Sequence, residues 1–166
     1  PSSFARLDAA LRSLSSYDAV VFTSRNAVER FFARARALRL LSLSRPRLVF
    51  AIGPQTARTA RDYGWKTAAV PMNYRGEDLA RRLGNVRGRR ILIPRAAAAR
   101  EALPRLLRSK GGLVHIVPAY RTLPDTKGPP LIKKQAARGA IDVVTFTSGS
   151  TVDHFVDQLT PRFCRK

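Results

Sequence analysis

The sequence has little of what builds disulfides, metal centres or acid–base pairs. Cys164 is the only cysteine among 166 residues, which excludes an internal disulfide framework and a cysteine-based zinc site. The only histidines, His115 and His154, lie far apart in the sequence, so we expect no metal site. The 11 acidic residues do not cluster, and hydrolysis by a carboxylate pair therefore has no support. His115 lies within an apolar run and is expected to be a packed or edge residue of a strand.

The sequence also lacks long apolar runs and recognisable targeting or nucleotide motifs. No apolar run approaches the roughly 20 residues that span a bilayer, and no signal-peptide pattern begins the chain. No Walker motif and no dinucleotide-binding glycine motif occurs. The chain begins at Pro1 rather than at methionine, from which we expect a cut or processed start. The expectation is a soluble, cytoplasmic protein with no cofactor and no membrane contact.

The charge is strongly one-sided. Lys and Arg number 31 against 11 Asp and Glu, a formal net charge of +20. Such a balance favours polyanionic partners, namely nucleic acid, anionic lipid or a small molecule with several carboxylates. A GC-rich coding bias toward arginine would produce the same excess. The charge alone therefore does not choose a partner.

Short strands alternate with amphipathic helices along the chain. Continuous apolar runs are typical of strands buried on both faces, and spaced apolar residues indicate helices between them. We expect Pro94 to end the strand that precedes it. This alternation predicts a parallel sheet with helices on both of its faces. The predicted strands are 19–22, 48–52, 66–70, 90–93 and 113–117, with a sixth at 143–147 after a linker, and the predicted helices include 4–14, 25–40, 76–83, 101–110 and 150–159.

One strand–turn–helix segment occurs twice. The two copies are Asp18–Ser24 with Val28 and Phe31, and Asp142–Ser148 with Val152 and Phe155. Convergence of strand–helix units explains the repeated apolar positions, but not the repeated Asp and Phe-Thr-Ser in the same register. The repeat therefore predicts two homologous domains.

Residues rich in hydroxyls, glycine or arginine follow the predicted strands. In open α/β sheets, ligands bind beyond the carboxyl ends of the strands, where helix N-termini receive carboxylates or phosphates. For Ser24 and Ser148, simple capping of a helix is an equally good interpretation, and both roles can coexist. These turn segments are Thr23–Asn26, Gly53–Thr56, Pro94–Arg95, Pro118–Arg121 and Thr147–Ser150.

Motifs in a fixed order resemble the uroporphyrinogen-III synthase family. They are Asp18–Val28, Ala51–Ala57, Ile91–Arg95, Val117–Thr122 and Asp142–Val152. Each is weak alone, but their order and spacing are specific. The resemblance implies a lyase of porphyrin and haem biosynthesis. Such an enzyme closes the linear tetrapyrrole hydroxymethylbilane to uroporphyrinogen III, with inversion of ring D and loss of water. It implies no cofactor and no metal, and we expect a monomer that binds no nucleic acid.

The resemblance also implies a domain plan. The family has two flavodoxin-like α/β domains, one inserted in the other, with the substrate in the cleft between them. By this plan, residues 1–16 are an N-terminal helix or linker, and 17–118 are a complete domain with a doubly wound parallel sheet of five strands. Residues 119–140 are a linker, and 141–166 are a partial return into the second domain. The opening strand–helix–strand and the second Gly-Pro-x-Thr of the family are absent. We therefore expect a fragment that is inactive alone, with 141–166 poorly anchored.

Site residues follow from the matching motifs. Tyr120 resembles the family's cleft tyrosine and is expected to help the substrate hydroxyl leave, as a hydrogen-bond donor or acid. A packing tyrosine at a domain edge is the alternative. Arg25, Arg95 and Arg121 are expected to pair with carboxylates, unless they are solvated surface charges. The groups expected to hold acetate and propionate side chains are Thr23, Ser24, Gly53, Thr56, Ser148, Gly149 and Ser150.

Two other classes of function stay open. A basic nucleic-acid-binding module would account for the charge, but no aromatic-interleaved basic strand and no recognised motif supports it. A sensor of small anions on a single α/β scaffold would need one self-sufficient site. It would give the linker and the repeat no purpose.

Overall fold

The computed structural model describes residues 3–40, 46–68, 76–125, 128–146 and 148–158. The chain divides into two compact units, Pro1–Thr122 and Leu123–Lys166. The first unit holds the sheet and the main hydrophobic core. The second unit holds helices and extended segments.

Four parallel strands form the sheet of the first unit. Strand β1 spans Ala19–Phe22, β2 spans Leu48–Ala51, β3 spans Arg90–Ala96 and β4 spans Leu113–Tyr120. Their order across the sheet is β2-β1-β3-β4, and each neighbouring pair is parallel. A flavodoxin-like sheet begins with the same order of strands. The prediction of a parallel α/β fold is confirmed.

Helices cover both faces of this sheet. On one face, Leu7 and Phe31 belong to the buried cluster that α1 and α2 make with the strands; on the other, Leu79 and Leu107 of α4 and α5 belong to a second cluster. No helix in the described ranges is long and apolar enough to cross a membrane. The helices are α1 (Ala5–Arg12), followed by a 3-10 turn at Leu14–Ser16, α2 (Arg25–Ala37), α3 (Pro54–Asp62), α4 (Gly76–Arg82) and α5 (Ala102–Ser109), and in the second unit α6 (Gly128–Ala137) and α7 (Gly149–Gln158).

Strand β1 is buried on both faces, as its continuous apolar sequence predicts. Successive side chains of a strand point to opposite faces. Val20 and Phe22 therefore join the cluster with α1 and α2, whereas Ala19 and Val21 join the cluster with α4 and α5. A polar residue at any of these positions would place an unpaired group in the core, which accounts for the uniform run.

The strand predicted at 66–70 is not found over its described part. Residues 66–68 have no strand assignment, and residues 69 and 70 lie outside the described residues. The N–H of Ala68 donates to the carbonyl of Val49 at 2.7 Å, which places Ala68 beside β2. One such bond is too little to make a ladder, so across the described residues the sheet has four strands rather than five.

The prediction that Pro94 ends its strand is wrong, because β3 continues to Ala96. Proline removes a ladder hydrogen bond, so it is tolerated in a strand only where no neighbour needs its N–H. The β1–β3 ladder reaches Val20 and Leu92 and goes no further. Beyond Leu92, the missing N–H of Pro94 costs no bond on that side.

Arginine side chains occupy the outer edge of β4, the last of the described strands. Nη2 of Arg6, on α1, donates to the carbonyl oxygen of Ile116 at 3.0 Å. Nη2 of Arg108, on α5, donates to the carbonyl oxygen of Val114 at 3.4 Å. Charged side chains at an edge strand oppose pairing with a strand of another chain.

The second unit has no strand among its described residues. Residues 143–146 of the predicted sixth strand have no ladder pairing, and Thr147 lies outside the described residues. Val143 is 76% exposed and Phe146 is 41% exposed. A strand needs a partner for its backbone groups and a layer that covers its apolar side chains. Neither is present within the described part of this unit, so the strand prediction is wrong for 143–146.

Candidate functional site

Two predicted site residues from different strands meet at the carboxyl end of the sheet. Ser24 follows β1, Tyr120 ends β4, and their hydroxyl oxygens are 3.1 Å apart. Ser24 is also the N-cap of α2, where its Oγ accepts a hydrogen bond from the N–H of Ala27 at 3.1 Å. Ser24 therefore caps a helix and holds the Tyr120 phenol at the same time. Its contact with a ligand stays a prediction.

A β-bulge sets the direction of the Tyr120 side chain. Arg95 pairs with Pro118, but the next residue, Ala96, pairs with Tyr120, which leaves Ala119 as an extra residue in β4. In a regular strand Tyr120 and Ala119 would point to opposite faces. Here both pack against the cluster that the sheet makes with α1 and α2. Bulges beside functional sites commonly re-aim a side chain, and this one turns the phenol toward Ser24.

The turn after β2 adds a second helix start at the same edge. Gly53 is the N-cap of α3 and offers no side-chain cap, and Pro54 takes the first helical position that suits proline. Thr56 is only 6% exposed, so its hydroxyl is covered. This turn can therefore bind an anion only through the backbone N–H groups in the first turn of α3.

Arg95 is buried and already bonded within the protein. Its side chain is 8% exposed and forms an ion pair with Glu101, the N-cap residue of α5. Nη1 of Arg95 donates to the carbonyl oxygen of Arg100 at 2.9 Å, while Nε has no partner among the described residues. The hydrogen bond from Arg95, followed by charge attraction, lowers the pKa of Glu101 below its usual range. The guanidinium that we expected to bind a carboxylate therefore holds the loop between β3 and α5.

The other predicted residues of the first unit lie around Ser24 and Tyr120 in sequence. Thr23 is half-buried between β1 and the cap of α2. Arg25 is exposed at the first position of α2, and its Nε lies 3.3 Å from a carboxylate oxygen of Glu29. Arg121 is exposed and directly follows β4. Both arginines are open to solvent at the end of the sheet where ligands of α/β proteins bind.

The second copy of the turn belongs to the second unit. The Oγ of Ser148 lies 2.7 Å from Oγ1 of Thr151 and accepts the N–H of Thr151 at 3.3 Å. Ser148 thus caps α7 in the way that Ser24 caps α2. Gly149 is exposed at the start of α7, and Ser150 is its second residue. These three residues stay predictions as ligand contacts.

Sequence reasoning missed two residues that shape this edge. Glu101 was not identified as the partner of Arg95, although acidic residues are scarce and this one is the first residue of a predicted helix. Ala119 was not identified as a bulge, and no residue type in Val117–Tyr120 marks one. By contrast, His115 is a packed strand residue as predicted: its ring stacks on Tyr17 at 5.8 Å between centroids.

The arrangement suits binding of anions and donation of a proton. The phenol of Tyr120 and the hydroxyl of Ser24 form a hydrogen-bonded pair beside the first turn of α2. Exposed guanidinium groups flank them. Within the described residues, no three His, Cys, Asp or Glu side chains group as metal ligands.

The comparisons with known proteins agree on one family. The family profile described as "Uroporphyrinogen-III synthase HemD" matches residues 1–166. A relative from Methanothermobacter thermautotrophicus, also named after this enzyme, is 37% identical over 147 residues, which are 86% of this chain and 58% of the relative. The uroporphyrinogen-III synthase of Synechococcus elongatus is 29% identical over 93% of this chain and 60% of its own length.

Solved structures show the same fold. A uroporphyrinogen III synthase from Thermus thermophilus superposes with a TM-score of 0.69 at 21% identity, covering 94% of this chain and 62% of the other. The chain therefore spans about three fifths of the length of the relatives and structures that it matches.

Proposed function

The chain belongs to the uroporphyrinogen-III synthase family, and we propose that it binds hydroxymethylbilane at the carboxyl edge of its sheet for closure to uroporphyrinogen III. The observation that carries this proposal is the hydrogen bond between Ser24 and Tyr120. It joins two residues that lie far apart in sequence, at the place where the family motifs put substrate contacts. The family also favours this function over nucleic-acid binding and over a single-domain anion sensor.

Tyr120 acts on the hydroxyl that leaves the substrate. The O–H of its phenol can donate a hydrogen bond or a proton to a departing hydroxyl. The Ser24 hydroxyl fixes the direction of the phenol, because the Oγ of Ser24 is itself held by the N–H of Ala27. Loss of the hydroxyl as water leaves the carbon that then bonds to the far end of the tetrapyrrole.

The carboxylates of the substrate bind around this pair. We assign them to the first-turn N–H groups of α2 and α3 and to the guanidinium groups of Arg25 and Arg121. Helix N-termini favour negative charge, and guanidinium groups bind carboxylates through paired hydrogen bonds. Holding several side chains of a flexible tetrapyrrole brings its two ends together, which is a proximity effect. Within the second unit, Ser148–Ser150 are proposed as carboxylate contacts of the same kind.

The binding test uses uroporphyrinogen III, the product, under anaerobic conditions. We expect saturable binding to the chain that shifts the backbone amide signals of residues near Ser24 in NMR spectra. Tyr120→Phe and Ser24→Ala should weaken binding. Tyr63→Phe, at an exposed tyrosine of the same unit, should leave it unchanged. Equal affinity in all four proteins would overturn the proposed site.

A second test follows the reaction itself. Hydroxymethylbilane closes spontaneously to the type I isomer, and chromatography after oxidation separates this from type III. We expect no type III above the blank from this chain alone, because no described residue of the second unit lies in a sheet that could position its predicted contacts. Type III formed by this chain would contradict that expectation and would allow Tyr120→Phe to be tested directly. A cytoplasmic location, a monomer and catalysis without a cofactor stay predictions.

A further inference from the structure

A groove opens at the amino end of the sheet, opposite the edge that carries Ser24 and Tyr120. The groove is shallow and open to solvent, with a volume of about 480 Å³. No carboxylate is among the described residues that line it. The residues that give the groove its chemistry are Tyr17, Arg90, Arg108, Leu113, Val114 and His115.

Two guanidinium groups supply positive charge to this groove. Arg90, at the start of β3, lies over the ring of Tyr17 with its Cζ 5.4 Å from the centroid. Arg108, on α5, is held by the carbonyl oxygen of Val114, which leaves its other N–H donors free for a ligand. Neither forms an ion pair with the described residues. The nearby carboxylate of Asp18 accepts the backbone N–H of Arg90 at 2.8 Å rather than its guanidinium.

A buried pair of rings forms the back of the groove. The hydroxyl of Tyr17 is hydrogen-bonded to Nδ1 of His115, and Tyr17 is only 5% exposed. Burial, with the positive charges of Arg6 and Arg90, lowers the pKa of His115, so the ring is neutral at neutral pH. In the tautomer in which Nδ1 accepts the phenol proton, the neutral ring carries its own proton on Nε2 and is a hydrogen-bond donor there, and this is the tautomer that the proposal below requires.

An apolar surface lies beside these polar groups. Leu113 is 59% exposed at the first position of β4, and Val114 follows it. An exposed leucine next to unpaired guanidinium groups suits a ligand that has an apolar body and a negative head. An inorganic anion would contact the guanidinium groups but not the apolar surface.

We propose that this groove binds a small organic anion, with a phosphate or carboxylate group on Arg90 and Arg108 and an apolar body on Leu113. The site is separate from the tetrapyrrole edge and does not depend on the function proposed there. The guanidinium pair binds the charged oxygens through paired hydrogen bonds. The neutral imidazole donates a further hydrogen bond without adding charge.

Phenyl phosphate is the probe for the test, with inorganic phosphate as its comparison. The ring nitrogen signals of His115 and His154 are followed by NMR during the titration. We expect phenyl phosphate to bind saturably and to move His115 while His154 stays in place. Inorganic phosphate should bind more weakly, because it makes no contact with Leu113. Equal affinities for the two probes would overturn the assignment of an organic anion.

Substitutions locate the binding to the groove. Arg90→Ala and Arg108→Ala should each weaken phenyl phosphate binding about tenfold, the loss expected for one charge-assisted hydrogen bond. Arg105→Ala, on the same helix but outside the groove, is the matched control and should leave affinity unchanged. All three arginines are exposed, so the variants are expected to fold, and the amide spectrum of each checks this. If the double variant of Arg90 and Arg108 binds as well as the unchanged chain, the anion is held by general positive charge and the proposal is wrong.

Discussion

Ser24 shows how one side chain can serve stability and a site together. Its Oγ accepts from a helix N–H and also contacts the phenol of Tyr120, so the helix start and the phenol are fixed by the same oxygen. Arg95 shows the opposite case. Its guanidinium group is bonded to the carboxylate of Glu101 and to the carbonyl oxygen of Arg100, so few of its N–H groups remain to bind a ligand.

Ser24→Ala should lower the free energy of unfolding of the first unit. Loss of the cap and of the bond to Tyr120 should together cost about 1–2 kcal/mol. Urea unfolding followed by fluorescence of Trp65, the only tryptophan, measures this change. Ser15→Ala, at an exposed serine of the 3-10 turn, is the control and should change stability by less than about 0.5 kcal/mol. Equal losses in the two variants would show that Ser24 is not an effective cap.

Arg95→Met should destabilise the chain although it keeps an apolar side chain of similar length. The substitution removes the donor to the carbonyl of Arg100 and the ion pair with Glu101, which should lower the free energy of unfolding. The pKa of Glu101 should rise toward its ordinary value of 4.5, because its main cause of lowering is gone. Carboxyl NMR measures the pKa, and urea unfolding measures the stability. Arg100→Met, whose exposed side chain takes no part in these contacts, should change neither.

At the scale of elements, sequence periodicity located most strands and helices of the first unit. It worked for β1 and α2 because the residues that each element buries lie within that element, so the apolar pattern can be recognised from its own sequence. It failed where the structure depends on how neighbouring strands pair. Pro94 is compatible with β3 only because the pairing between β1 and β3 ends at Leu92. The apolar periodicity of a single strand cannot show where its pairing with a neighbour ends. The direction of Tyr120 likewise depends on an extra residue in a ladder.

Helix α1 is held against α2 by a charged contact whose strength depends on pH. Asp8 accepts two hydrogen bonds of 2.6 Å from Arg34, which lower the pKa of Asp8 below its ordinary value of 3.8. A carboxyl with a lowered pKa in the folded state adds stability above its unfolded pKa. That stability is lost as the pH falls through the lower, folded value.

Asp8→Asn should therefore reduce stability at neutral pH and make little difference in strong acid. The gap between the two unfolding midpoints should close as the pH falls below about 4, which urea unfolding at a series of pH values measures. Asp62→Asn, at an exposed carboxylate of α3, is the control and should follow the unchanged chain at every pH. A gap that persists in strong acid would show that Asp8 acts by packing rather than by charge.

At the scale of the whole molecule, the two copies of the repeat differ in structure and in burial. Val20 and Phe22 of the first copy are fully buried in the sheet. Their counterparts Val144 and Phe146 are 47% and 41% exposed, with Phe146 packed edge-on against Phe155 at 5.2 Å. The same apolar pattern is thus a strand where neighbouring strands pair with it, and an exposed segment where none of the described residues does. This is why local sequence alone predicted both copies alike.

Hydrogen exchange should separate the two copies. Amides of β1 are bonded to β2 and β3 on both sides and should be strongly protected, whereas those of residues 143–146 should exchange rapidly, since no described neighbour pairs with them. Mass spectrometry of peptides from the two copies measures this directly. Peptides from β2 serve as the internal reference for a protected strand. Equal protection of both copies would show that 143–146 are covered in solution.

The guanidinium groups on the outer edge of β4 contribute to the solubility of this protein but little to the stability of its fold. Arg6 and Arg108 lie on different helices and their charges face solvent, so replacing either removes little from the core. It would, however, uncover backbone carbonyls at a strand edge. A variant that lacks both Arg6 and Arg108 would precipitate on concentration while its melting temperature stayed the same, whereas loss of one of them leaves the other on this edge. For such a variant, a poor yield of protein reports on that edge and not on the fold.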